Sequence, residues 1–203
     1  MHLPRKFIIA ATALFAVSSN VEAQLFSTGK GTASTALTAS SGYGQIVALS
    51  SNTTITSFGF WIESTSAQNL KFFVFETATN TKVYEQEKSV GLISTNAATS
   101  TDPFTLLLSG GKSYNFGVIA SNSARILVFQ SLLSLTQNGV SLGNGFGRYA
   151  PYTNPTRFGV SLGTVALRID GDLTAVPEPS TYVLLGTGLL GIACLARRRR
   201  TVL

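Results

Sequence analysis

Between residues 24 and 176 the chain has neither histidine nor cysteine; its single His is His2 and its single Cys is Cys194. That stretch cannot hold a Ser-His-Asp triad, a cysteine nucleophile or a His-containing zinc site. What remains for acid–base work is carboxylate: Glu63, Glu76, Glu85, Glu87, Asp102, Asp170 and Asp172. Glycoside hydrolysis needs two such groups held across a cleft, and no local motif pairs any of these. Glu85 and Glu87 share one face of an alternating, charged segment, a pattern that serves solubility. Asp170-Gly171-Asp172 could offer oxygens to Ca²⁺, but two carboxylates in a turn fall short of the roughly six to eight ligands that ion takes. The sequence therefore predicts no catalytic residue, no metal site and no cofactor.

Recognition chemistry has one candidate. Residues 143–159, GNGFGRYAPYTNPTRFG, are rich in Gly, Asn and Pro and bring Arg148, Tyr149, Tyr152, Arg157 and Phe158 close together. They read as a long irregular loop, and such loops often carry function. Flat aromatic faces and nearby hydrogen-bonding groups suit sugars, so Arg148, Tyr149 and Tyr152 are the candidate polysaccharide-binding residues. The competing reading has these aromatics packing the loop onto the domain. The same competition applies to Trp61, since strand aromatics usually belong to the core.

The elements that must position these groups are strands. Short β-prone runs at residues 44–50, 55–62, 70–76, 82–88, 103–108, 113–120, 125–130 and 164–169 are separated by Gly, Asn and Ser, as in antiparallel all-β domains. Residues 70–76 (LKFFVFE) are apolar on both faces, as a central strand would be. Residues 82–88 (KVYEQEK) alternate and are charged, like an edge. Residues 109–112 (SGGK) carry a hairpin signal between their flanking strands. About eight strands in about 150 residues favour an antiparallel β-sandwich or jelly roll over a closed barrel. Residues 24–41, rich in Ser, Thr, Ala and Gly, form either a poorly ordered arm or a weak first strand. Scattered Thr pairs such as Thr54 and Thr56 evoke ice-binding rows, but no internal repeat orders them into an array.

The ends differ from the middle. The net charge is +6 and the pI about 9.7, yet Arg5, Lys6 and Arg197, Arg198, Arg199 and Arg200 supply the excess. Nothing in the middle clusters enough to argue for nucleic acid. Residues 1–23 read as a secretory signal peptide: Arg5 and Lys6, then an apolar run over 7–17 too short to be a stable span, then Val21-Glu22-Ala23. Cleavage is expected between Ala23 and Gln24, with the Sec translocon and signal peptidase as partners. Residues 179–196 are uncharged, and a helix of that length measures ~27 Å against the ~30 Å hydrocarbon core. A transmembrane helix is thus predicted at about 180–196. The four arginines after it should stay on the cytoplasmic side.

Pro177-Glu178-Pro179-Ser180, the Gly-rich apolar run (Gly186, Gly188, Gly191) and the terminal Arg cluster together resemble the PEP-CTERM sorting signal. The resemblance is confined to the tail. It implies recognition by exosortase, a membrane cysteine protease-transpeptidase of Gram-negative bacteria that also make exopolysaccharide. Three segments are thus expected: a signal peptide (1–23), a β-sandwich passenger (24–176) and a sorting signal (177–203). The expected protein is exported, tethered in the inner membrane with the passenger outside and the C-terminus inside, then moved to the cell surface or extracellular matrix. Its passenger is expected to be a non-catalytic module that binds exopolysaccharide or builds matrix. The alternatives are a polysaccharide-active enzyme with a carboxylate pair, a purely structural coat protein and an ice-binding protein.

Overall fold

The computed structural model describes residues 23–94 and 97–173. The described chain is all-β: sixteen strands and no helix. First come β1 (Ala23–Ser27), β2 (Ala33–Leu37), β3 (Gly42–Leu49) and β4 (Thr53–Phe60). They are followed by β5 (Ile62–Glu63), β6 (Gln68–Glu76), β7 (Thr81–Val90) and β8 (Thr99–Ser100). Next are β9 (Leu106–Leu108), β10 (Ser113–Ala120), β11 (Ala124–Phe129) and β12 (Thr136–Gln137). The chain continues through β13 (Val140–Ala150), β14 (Thr156–Ser161), β15 (Thr164–Val165) and β16 (Leu167–Leu173). The Ser/Thr-rich stretch at 24–41 therefore holds two strands.

All strand pairings are antiparallel. A seven-stranded sheet runs β12-β13-β3-β10-β6-β7, with β14 beside β13. A five-stranded sheet runs β1-β16-β4-β8, with β9 beside β4, and a four-stranded one joins β15, β11, β2 and β5. Two expected strands divide between sheets. The run at 55–62 breaks at Trp61, so β4 enters the five-stranded sheet and β5 pairs with β11. The run at 164–169 breaks at Ala166 into β15 and β16 in the same way. Trp61 is half-buried at its break, where its carbonyl accepts the Leu127 amide at 2.8 Å.

The hairpin expected around residues 109–112 does not form: β9 pairs with β4, whereas β10 pairs with β3 and β6. The turn instead carries the chain from one sheet to another. Gly110 lies against the Ser51 backbone, closer than a Cβ allows, and Gly111 (φ 74°) donates to Leu49 O at 2.7 Å. Two glycines in a row read as a tight reversal, but here they permit a close crossing of the end of β3.

Binary patterning explains the packing. On β6, Phe72 and Val74 enter the main core while Phe73 and Phe75 enter a second cluster on the opposite face, so both faces of this strand are covered. On β7 exposure alternates residue by residue from Val83 to Val90, as its charge pattern requires of an edge. The main core joins the five- and seven-stranded sheets through rings. Phe58 of β4 meets Phe72 of β6 edge-on at 5.9 Å and Phe116 of β10 at 5.1 Å.

Candidate functional site

The stretch at 143–159, expected to be an irregular loop, is strand β13, a short turn and strand β14. Its glycines let strands approach. Gly147 lies opposite Gly44 on β3, and Gly145 takes φ 81° where β13 bulges. Above this glycine floor lies the ring of Tyr149, 4.6 Å from Phe73 and 5.4 Å from Phe75. A Cβ on Gly147 would press on that ring, and one on Gly117 would run into Phe73. The glycines thus make room for Tyr149 rather than loosening the chain.

The three predicted ligand residues fare differently. Tyr149 is fully buried and packs with Phe73, Phe75 and Ile119, so it cannot serve as a surface platform. Tyr152 is half-buried against the same cluster. Arg148 is half-buried and sets its guanidinium 5.2 Å from the centre of the Phe158 ring. Tyr149 and Tyr152 thus share one cluster, whereas Arg148 engages the next strand.

A lysine that the sequence reading passed over anchors the turn at 151–155. Lys71 of β6 is buried, with Nζ 4.8 Å from the Tyr152 ring centre and 3.3 Å from Thr153 O. Glu85 and Glu87 of β7 face the same ammonium at 3.8 and 3.9 Å. Lys82 donates to Glu85 at 2.6 Å and to Asn154 Oδ1 at 3.4 Å. Glu85 and Glu87, read as solubility groups, therefore also neutralise a buried cation, as a lysine taken out of water requires. The signal was a lysine set between Leu70 and the apolar run of residues 72–75.

Most other carboxylates are likewise occupied. Glu76 pairs with Lys112 at 2.9 Å and Asp102 with Lys88 at 2.8 Å. Asp170 is buried, accepts the Ser57 hydroxyl at 2.9 Å and takes both oxygens to Arg168 Nε at 2.9 and 3.2 Å. Its oxygens are thus engaged by the protein itself, and Asp172 lies half-buried two residues on. Among the described residues no group of three or more His, Cys, Asp or Glu side chains gathers.

Tyrosine burial gives the domain an alkaline limit. Burial, reinforced by the negative charge of Asp102, pushes Tyr84 up from 10.0 to about 12. Burial raises Tyr149 further still, against a smaller opposing effect of Arg157; burial, then Glu87 and Glu85, raise Tyr152. These folded-state values lie above those of the unfolded chain. Their stabilisation is therefore complete below about pH 10 and is lost as pH rises through the folded values. Denaturant midpoints should hold level to about pH 10 as far as tyrosine is concerned and fall steadily above it. A midpoint unchanged from pH 10 to 12 would mean the rings titrate freely.

The route to the tail is set by β16. This strand is paired on both sides, to β1 and β4, and the described chain leaves it at Leu173, opposite Thr53. Ala23 lies opposite Gly171 on the same strand, and Gln24 opposite Asp170. The expected signal-cleavage bond and the exit to the tail therefore share one end of the five-stranded sheet. Only residues 174–176 separate Leu173 from Pro177, a reach of at most ~14 Å for an extended chain.

Pro177, Glu178, Pro179 and the four arginines lie outside the described residues, as do the signal peptide and the apolar run at 179–196. No helix among the described residues is long and apolar enough to cross a membrane. The tail is identified by comparison instead. Residues 175–200 match the PEP-CTERM protein-sorting motif. The PEP-CTERM motif implies an exosortase as partner and export through a membrane-anchored intermediate. It covers the tail alone, and comparison with curated proteins finds no match.

Proposed function

We propose that this is an exported surface or matrix protein whose β-sandwich passenger is non-catalytic and associates with extracellular polysaccharide or builds matrix itself. The observation that carries the reading is the PEP-CTERM match at 175–200, which begins two residues after Leu173, the end of a strand paired on both sides. The steps are export through the Sec translocon, signal removal after Ala23, arrest in the inner membrane at about 180–196, and tail cleavage near Pro177-Glu178-Pro179. Residues 197–200 hold the C-terminus inside until that cut. In these steps the chain's own residues are substrates.

The non-catalytic reading is supported by the absence of His and Cys between residues 24 and 176 and by the ion pairs that engage Glu76, Glu85, Glu87, Asp102 and Asp170. Ring contacts between the five- and seven-stranded sheets support a sandwich. For polysaccharide contact the reachable groups of the original set are Tyr152 and Arg148, since changing Tyr149 would test stability instead. The test is co-sedimentation of the protein with its host's exopolysaccharide. Saturable binding, weakened several-fold by Tyr152→Ala, would support a glycan module seated on the β13–β14 turn. Absence of binding by folded protein would leave the structural coat. Turnover of the polysaccharide abolished by one Glu or Asp substitution would overturn the non-catalytic reading.

A further inference from the structure

The two outer edges of the seven-stranded sheet are unlike. At one end β7 pairs only with β6 among the described residues and carries Lys82, Glu85, Glu87 and Lys88. Such charges are how natural sheets deter a further strand. At the other end β14 pairs only with β13 among the described residues, and its sequence, TRFGVS, has one charge and no proline. Alternate positions along it face solvent with apolar side chains: Phe158 is 55% exposed, Val160 59% and, just past the strand, Leu162 84%. A period of two on an edge strand makes this one stripe.

We propose that β14 is a self-association edge, where a second copy of this chain adds its own β14 antiparallel and extends the sheet across two molecules. The sequence of the strand is self-complementary in this arrangement. A two-fold axis at Gly159 sets Phe158 opposite Val160 of the second copy, Arg157 opposite Ser161 and Thr156 opposite Leu162. Aromatic and β-branched residues are favourable cross-strand partners, and no like charges meet. The contact uses the same surface twice, so it closes as a dimer and does not propagate into fibres. A six-residue strand pair covers less than the ~800 Å² per partner of a standard interface. The association is therefore reversible in dilute solution and favoured where copies are concentrated on a surface. It requires neither the sorting steps nor polysaccharide binding.

The dyad position supplies the test. Gly159 has a φ outside the left-handed region, and a Cβ there would meet nothing within 4 Å, so Gly159→Cys is tolerated and faces its own copy. The full-length chain carrying Cys194→Ser and Gly159→Cys is oxidised gently and run on a non-reducing gel. Thr81→Cys on the exposed β7 edge is the control. A disulfide-linked dimer from Gly159→Cys well above the control is expected, falling about tenfold when Val160→Lys is added, equivalent to about 1.4 kcal/mol. A yield no higher than the control, or one untouched by Val160→Lys, would overturn the proposal. So would cross-linking to a different protein.

Discussion

Phe58→Ala should be the most damaging single substitution in the described chain, costing about 3–5 kcal/mol. Phe58 is fully buried and makes five ring contacts, with Phe60, Phe72, Tyr84, Phe104 and Phe116 at 5.1–6.1 Å. Four of the partners lie outside its own strand: one each on β6, β7 and β10, and Phe104 in the connection after β8. Edge-to-face pairs add about 0.5–1.5 kcal/mol each beyond area burial. The cavity is hard to collapse because its walls belong to two different sheets, each held by its own ladder. Against a typical total of about 5–15 kcal/mol, the loss leaves little reserve. A guanidinium titration of the variant beside the parent checks it, and a midpoint within error of the parent would mean that the two sheets do not depend on this ring.

Much of this architecture could be read in the sequence, and the places where reading failed have physical causes. Strands whose side chains alternate or fill both faces were visible: β3, β4, β6, β7, β10 and β11 all begin or end within two residues of an expected run. Strand β13 was hidden because Gly143, Gly145 and Gly147 look like loop punctuation, whereas they are where β13 bulges and where Tyr149 lies over β3. One signal there was available, since Asn138-Gly139 between β12 and β13 adopts φ 48° and 74°, the mirror-image turn that Asn-Gly favours. Partner choice was less legible. The runs at 55–62 and 164–169 each look continuous, and they divide between sheets only because β11 takes β5 and β15 while β4 and β16 pair with each other. At the candidate site, residue types suggested a platform, but whether a tyrosine lies above or beneath its neighbours is decided by strands distant in sequence. Lys71, Phe73 and Phe75 sit more than seventy residues before Tyr149. Ser57, which holds Asp170, is 113 residues away from it.

The PEP-CTERM motif at 175–200 needs no such long-range information, which is why it can be recognised from the sequence alone. Its three parts are consecutive in the sequence: Pro177-Glu178-Pro179, an uncharged run at 180–196 and the arginines at 197–200. The second large effect follows from that independence. Replacing Pro177, Glu178 and Pro179 together by alanine should abolish tail removal in an exosortase-bearing host while leaving the passenger folded, because the change begins beyond the last strand. The chain would then accumulate in the membrane fraction with residues 197–200 still attached, and its released form would be lost. Intact mass of the membrane-bound and released pools gives the result directly, with Phe58→Ala as the contrasting variant. That substitution should lower the amount of protein without changing where the surviving chains are cut. If the triple variant is released with the same mass as the parent, recognition does not pass through the Pro-Glu-Pro, and the sorting information would have to lie in the apolar run and its arginines.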